Sequence, residues 1–262
     1  MNNLRNLALV LLTLSLTACG AGNQTNQGTD NAPGSGAKSE ITIGTEGTYA
    51  PFTFHDESGV LTGFDVELAQ EVSRRIGRTP RFVETKWDGM IAGLDAKRYD
   101  MVANEVAVRP DRLEKYDMSD PYIVSRAVLV VGSGNETIKS LNDLKGKKVG
   151  QSLDSNYRKI AEEHGAKNTV VEGFNQAIDL IVSGRIDATL NDSLSYLDLK
   201  KQRPDLAVKT VYEEPEATSN AFLFRKGNEE LVQQVNQALD AMQTDGTYLK
   251  ISRKWFNSDV SK

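Results

Sequence analysis

Tyr122-Ile123-Val124-Ser125-Arg126-Ala127-Val128-Leu129-Val130-Val131 is one extended, mostly apolar run, longer than any strand pattern around it. On both sides the chain alternates short strand and helix patterns, so the run reads as a crossover between two bodies. Upstream, Glu40-Ile41-Thr42-Ile43-Gly44 alternates as a strand does, and Phe64, Leu68, Val72 and Ile76 then recur every four residues before Gly77. The order repeats as strand at 81–84, helix at 87–94, strand at 99–103 and a helical turn opening at Pro110. Downstream, Ser140 opens a short capped helix, 148–150 reads as strand, Ser155 caps a helix running to His164, and 176–183 reads as helix. Strand 186–191 and helix 193–201 follow. A second extended stretch, 217–224, mirrors the first crossover, and the last helix, 231–244, is followed by 248–256. Alternation of this kind predicts parallel sheets with helices on their faces. No repeat with a solenoid period is present.

The N-terminus names a compartment. Arg5 precedes a ten-residue apolar stretch, and Leu16-Thr17-Ala18-Cys19 ends it with the only cysteine of the chain. That stretch is too short to span a bilayer and suits a secretory leader at 1–18. An ordinary secretory signal or a short buried helix are the plainer alternatives. Residues 20–39 are mostly Gly, Asn, Gln, Thr, Ser and Pro with almost no apolar side chain, so nothing there offsets the entropy of ordering, and a flexible tether is expected. What remains is about 220 residues, enough for one large domain or for two lobes of about 100 each. Removing Arg5 with the leader leaves 30 basic against 36 acidic residues, a formal charge of −6, with no basic run. Nucleic acid is therefore not an expected partner. With no cysteine beyond Cys19, stability in an oxidising space rests on the core alone.

The strongest local signal is Asn104-Glu105-Val106-Ala107-Val108-Arg109-Pro110-Asp111-Arg112, between a buried strand and a helix start. In an open α/β sheet, ligands sit beyond the carboxyl ends of strands, where helix N-termini favour anions. A guanidinium such as Arg112 can grip a carboxylate through two parallel bonds. On its own, an arginine in a first helical turn is more often a solvated or ion-paired surface residue.

From Ile41 to the C-terminus the chain resembles the solute-binding proteins of polar amino-acid ABC importers. The resemblance rests on 44–52 (GTEGTYAPF), 63–68 (GFDVEL), 86–90 (KWDGM), 98–100 (RYD), Pro110-Asp111-Arg112, 119–122 (SDPY) and 184–188 (GRIDA), in the family's order and spacing. It implies two α/β lobes joined by two hinge strands, of the type II periplasmic-binding-protein kind, closing on a ligand between them. Residues 40–125 and 218–262 would form one lobe and 126–217 the other. The N-terminus likewise resembles a lipoprotein signal. This implies lipid on Cys19, a diacylglycerol on sulfur and an acyl group such as palmitate on the amine, with 19–39 as the tether. The protein would then be anchored to a membrane on the periplasmic or cell-surface side, monomeric, and served by a permease in the inner membrane.

Carried over to this chain, the resemblance implies that Arg112 holds the ligand's α-carboxylate, aided by backbone at Val106 and Ala107 and by Ser155 from the other lobe. Asp192 would take the α-ammonium, and Tyr49 and Trp87 would wall the side chain. From the residues alone, Asp192 reads equally as a helix cap, and Tyr49 and Trp87 as core. Ala107 departs from the Thr or Ser common in the family and removes a hydroxyl. Glu46 departs from Asp or Asn and reaches further. Among subfamilies, Lys86-Trp87-Asp88-Gly89-Met90, Asn104-Glu105-Val106 and Asp154-Ser155-Asn156-Tyr157 most resemble cystine binders, with Glu105 for Gln and Asp154 for Gly as departures. The expected ligand is L-cystine, with cysteine, glutamine, histidine or arginine as alternatives. Glu46 or Glu105 would meet its distal ammonium.

The resemblance extends to a dehydratase on the same fold, so catalysis has to be weighed. His55 and His164 lie far apart in sequence and in no motif, and the zincin, G-x-S-x-G and P-loop patterns are absent. No catalytic residue, cofactor or metal is expected. A surface protein that merely retains the fold would not need the set of Arg112, Asp192 and aromatic residues.

Overall fold

A computed structural model of the chain describes residues 39–261. The expected leader, the expected lipid attachment at Cys19 and the expected tether up to residue 38 lie outside the described residues. Among those described, no helix is long and apolar enough to cross a membrane.

The first body starts with β1 (Glu40–Thr45), whose Ile41 and Ile43 point into the core at 0% exposure. A small antiparallel sheet of β2 (Thr48–Tyr49), β3 (Thr53–His55) and β4 (Leu61–Thr62) follows. Then come α1 (Phe64–Arg75), β5 (Thr79–Glu84), α2 (Trp87–Asp95), β6 (Met101–Ala107), α3 (Pro110–Leu113), β7 (Tyr116–Met118) and β8 (Ile123–Ser125). The second body holds β9 (Ala127–Gly132), a 3-10 turn at Leu141–Leu144, β10 (Lys148–Gln151), α4 (Asn156–Glu163), β11 (Lys167–Val170), α5 (Phe174–Val182), β12 (Ala188–Asp192), α6 (Ser193–Gln202) and β13 (Val208–Glu213). The chain then returns to the first body as β14 (Thr218–Arg225), α7 (Glu229–Thr244) and α8 (Thr247–Phe256).

Two sheets result, ordered β5-β1-β6-β14-β7, with β8 pairing β14, and β11-β10-β12-β9-β13. The alternation predicts parallel sheets, and the pairs β1–β5, β1–β6, β10–β11 and β10–β12 are parallel. The sheets as a whole are mixed, because each crossover strand arrives from the other body and runs against its neighbour. Thus β14 lies antiparallel to β6, and β9 lies antiparallel to β12. The run 122–131 is likewise not one strand. It breaks at exposed Arg126, leaving β8 in one sheet and β9 in the other. Arg126 Nε reaches the carbonyl of Pro215 at 3.4 Å, and Glu214 N–H donates to Ala127 O at 2.8 Å, so the two crossovers are tied side by side.

Each body has its own core. In the first, α1, α7 and α8 pack Phe64, Leu68, Val72, Val235, Leu239 and Tyr248 over the sheet, with Tyr122 and Phe222 ring centroids 4.5 Å apart. In the second, Ile178, Ile181 and Phe174 of α5 cover one sheet face, and Leu144, Val149 and Ala161 line the other. Each large aliphatic or aromatic side chain fully buried this way contributes about 1.5–3 kcal/mol. Gly63 opens α1 at φ 133°, and a Cβ there would sit 2.1 Å from Phe52 O, so only glycine fits the turn from β4 into the helix.

Candidate functional site

In each sheet the order of the parallel strands reverses once: between β1 and β6 in one, between β10 and β12 in the other. Ligands of open α/β sheets bind at such points, beyond the carboxyl ends of the strands. Both switch points open into one cavity holding about 600 Å³ of empty space, its open mouth included. The first body lines it with Glu46 after β1, Tyr49, Trp87 at the start of α2, and Asn104 and Glu105 near the end of β6. The second lines it with Gln151 at the end of β10 and Ser152 after it, Ser155 and Tyr157 at the start of α4, Phe174 at the start of α5, and Asn191 of β12.

Direct bonds cross the cleft. Tyr49 donates its phenolic hydrogen to Asn191 Oδ1 at 2.8 Å, Ser195 Oγ donates to Ala50 O at 3.0 Å, and Asp154 N–H donates to Asp88 Oδ1 at 3.2 Å. Lys86 and Glu172 form an exposed ion pair over the rim. The two bodies are thus closed on each other.

A backbone irregularity aims the β6 residues. Between the pairs Val106–Ala221 and Val102–Leu223 the strand carries two more residues than its partner, and Glu105 within this bulge adopts φ 49°. Left-handed backbone is uncommon for a non-glycine residue and persists where the surroundings over-determine it. Here Glu105 N–H donates to Asp65 Oδ2 at 2.5 Å, and Tyr122 donates to the same oxygen at 3.0 Å. Asn104 Oδ1 accepts from Glu46 N–H at 2.7 Å, and its amide nitrogen is 3.3 Å from Glu46 Oε2.

Arg112 is 6% exposed and does not line the cavity directly. It donates to Ala107 O at 2.9 Å, and its Cζ stands 5.6 Å from the ring centroid of Trp87, which does line it. No described carboxylate pairs with it. Burial first, then the neighbouring Arg109, lower its pKa to about 10. Of its five N–H donors one has a protein partner among the described residues, so the guanidinium retains capacity for an anion.

The carboxyl groups show the converse. Asp65 and Asp192 are 0% exposed and Glu105 8%, and none has a described basic partner within ion-pair distance. Burial raises all three: Asp65 to about 7, Glu105 well above its ordinary value, and Asp192 upward. Glu46 is also lifted to about 7 by burial. Asp65 Oδ1 has no hydrogen-bond partner. Among the described residues no His, Cys, Asp and Glu group of three or more is disposed to hold a metal ion.

The residues singled out from the sequence therefore divide. Glu46, Tyr49, Trp87, Asn104, Glu105 and Ser155 line the cavity. Ser155 also caps α4, accepting from Tyr157 N–H at 3.1 Å. Val106 packs away from it with Met90, Leu94 and Tyr99, since the bulge turns its side chain behind the sheet. Ala107 is buried and meets Arg112 through its carbonyl. Asp154 is exposed at the rim. Asp192 is the cap of α6, accepting from Leu194 N–H at 2.8 Å, and stands behind Asn191 off the lining. The lining residues not singled out include Gln151, Phe174, Asn191 and Asn220. Asn220 carried a signal, a polar residue inside the apolar crossover 217–224. Gln151 and Asn191, each at the end of a strand, carried another.

The family described as bacterial extracellular solute-binding proteins, family 3, matches residues 41–258 of this chain. Over 263 residues the chain is 50% identical to the L-cystine-binding protein TcyA of Bacillus subtilis, covering 98% of this chain and 97% of the relative. The solved L-cystine solute receptor of Neisseria gonorrhoeae, in its unliganded open conformation, is 44% identical over 86% of this chain and 96% of its own, with a TM-score of 0.58. An ancestral arginine-binding protein bound to arginine is 39% identical over 83% and 98%, and superposes with a TM-score of 0.78. The better superposition is with the ligand-bound structure, in keeping with the bonds across the cleft.

Proposed function

The chain belongs to family 3 of the bacterial extracellular solute-binding proteins, and we propose that it captures a single amino acid, L-cystine, between its lobes and delivers it to an ABC-importer permease. The observation that carries this reading is the complementary charge around one cavity. A buried guanidinium without a carboxylate partner stands against Trp87, and buried carboxyl groups without a basic partner surround Glu105. A zwitterionic head group supplies both missing partners at once. In this reading Arg112 takes the α-carboxylate and Asp192, with Glu105, the α-ammonium. Tyr49, Trp87, Tyr157 and Phe174 then contact the remainder, and the disulfide of cystine suits aromatic walls.

The choice of cystine over arginine, glutamine, histidine or cysteine is supported by the 50% identity to an L-cystine-binding protein along nearly the whole chain. The close relatives are solute-binding proteins rather than enzymes. Residues 40–125 with 218–262, and 126–217, would move as the two bodies about the paired crossovers. The ligand can favour the closed form only by its extra affinity for it. Lipid on Cys19, acting through the tether at 19–39, would hold the receptor at the membrane that contains the permease.

Calorimetric titration of the purified full-length chain with L-cystine, L-arginine, L-glutamine, L-histidine and L-cysteine tests the reading. Tightest binding of cystine is expected, at micromolar strength or better, about −8 kcal/mol. No heat with cystine together with tight binding of arginine would replace the ligand and keep the receptor.

A further inference from the structure

The carboxyl groups of the cleft cannot all be ionised in the closed form. Ser125, the last residue of β8, lies between two of them: its Oγ is 3.3 Å from Glu105 Oε1 and is hydrogen-bonded to Asp192 Oδ2. A hydroxyl carries one hydrogen and donates to one acceptor. The other contact is then oxygen lone pair against oxygen lone pair unless that carboxyl brings a hydrogen of its own. Asn220 Nδ2 is 3.5 Å from both Glu105 Oε1 and Ser125 Oγ, too far to supply a strong bond.

Geometry also says which group carries the hydrogen. Asp192 caps the ten-residue helix α6, where Oδ1 accepts from Leu194 N–H and the helix N-terminus favours an anion. Glu105 has no such support. It faces Asp192 from the second body, Asp65 from α1, and the phenols of Tyr49 from β2, Tyr122 ahead of β8 and Tyr157 from α4. The guanidinium of the site, Arg112, stands over Trp87 and acts on Tyr157.

We propose that Glu105 in the closed cleft is a neutral carboxylic acid that donates to Ser125, which in turn donates to an ionised Asp192, so that capturing an amino acid takes up one proton from solvent. This rests on the amino-acid reading above and refines it. Glu105 then acts as a hydrogen-bond donor, much as an amide side chain would, and the pair offers one negative charge to one ammonium. The same burial and the charges of Asp192 and Asp65 push its carboxyl well upward. With the lobes apart, water reaches Glu105 and its carboxyl ionises at neutral pH. The proton affinity is thus higher in the closed form, so ligand affinity is greatest at low pH. It falls by up to about tenfold per pH unit between the open-form and closed-form values.

The test is calorimetry on the purified full-length chain with L-cystine and with L-arginine, at pH 7 in two buffers of different ionisation enthalpy, which counts protons taken up per ligand bound. Wild type should take up about one proton more than Glu105→Gln. The affinity of the variant should change less between pH 6 and pH 8 than that of wild type. An equal proton count in the two proteins overturns the proposal. So does an equally steep pH dependence of affinity in a variant whose circular dichroism matches wild type, because it would place the linked proton elsewhere. The wild-type count stands without the variant, and no uptake there overturns the proposal while leaving the receptor reading intact. Heat from neither amino acid would instead overturn the receptor reading, and this inference with it.

Discussion

Tyr49 of β2 donates its phenolic hydrogen to Asn191 Oδ1 of β12, 2.8 Å away on the opposite lobe, inside the cavity that both residues line. This bond exists only while the lobes are closed, and it joins an aromatic wall to the end of a strand. Removing its hydroxyl with Tyr49→Phe deletes a partly buried bond but keeps the ring. A loss of about 1 kcal/mol, roughly fivefold in ligand affinity, is expected by calorimetry. Unchanged affinity would mean that closure does not draw on this contact.

Arg112→Ala is expected to weaken ligand binding at least about a hundredfold, because it removes a buried charge whose proposed partner is the ligand carboxylate. Arg112→Lys should recover little, since a lysine cannot give two parallel bonds or stack on Trp87 in the same way. Affinity within about threefold of wild type in Arg112→Ala would remove this residue from the site.

Lys86 and Glu172 also join the lobes, yet their side chains are 71% and 67% exposed. Ion pairs of that exposure contribute little and are screened by salt. Lys86→Ala should therefore change ligand affinity by less than about threefold, and adding salt should not mimic the effect of Tyr49→Phe. A large loss would identify the rim pair as a latch.

Gly63→Ala should destabilise the fold by at least about 2 kcal/mol, because φ 133° is forbidden to alanine and its Cβ would strike the backbone of Phe52. The check is denaturant unfolding. A change under about 0.5 kcal/mol would show that the turn relaxes.

Stability should also depend on pH through Asp65. Its pKa is about 7 in the folded chain against an ordinary 3.8, so the folded form holds the proton more tightly. A group raised in this way contributes its stability fully below about pH 4 and loses it as the pH rises to about 7. Tm should fall over that window, and Asp65→Asn, which can still accept from Glu105 N–H and Tyr122, should flatten the fall. Equal slopes in the two proteins would place the titration elsewhere. Asp111 and Asp245, held near 2, act in the opposite sense only below about pH 4.

Long periodic elements were legible from sequence, as α1 and α7 show: each buries one face of a four-residue repeat. The crossovers were legible by length, but not their division. Only tertiary pairing tells that Ser125 belongs to one sheet and Ala127 to the other, with Arg126 turning between them. Strands β2 to β4 have two or three residues each, too few for a period, and β11 and β13 lack a continuous apolar alternation. In the site, Ser155 carried the signature of a helix cap, whereas Tyr49 and Trp87, which alone read equally as core, were singled out by the resemblance to the family. The left-handed backbone at Glu105 had none, since nothing in a glutamate announces φ 49°. That one bulge decides that Glu105 faces the cavity while Val106 turns into the core.

The most direct measurement is a crystal structure of the chain grown with L-cystine. The lobes should be closed on one cystine in the cavity bounded by Tyr49, Trp87 and Asn191, with a ligand carboxylate on Arg112 and an ammonium beside Glu105 and Asp192. Closed lobes with that cavity empty of cystine, or cystine bound outside it with Arg112 still facing only Ala107 and Trp87, would show that this cleft is not the receptor site.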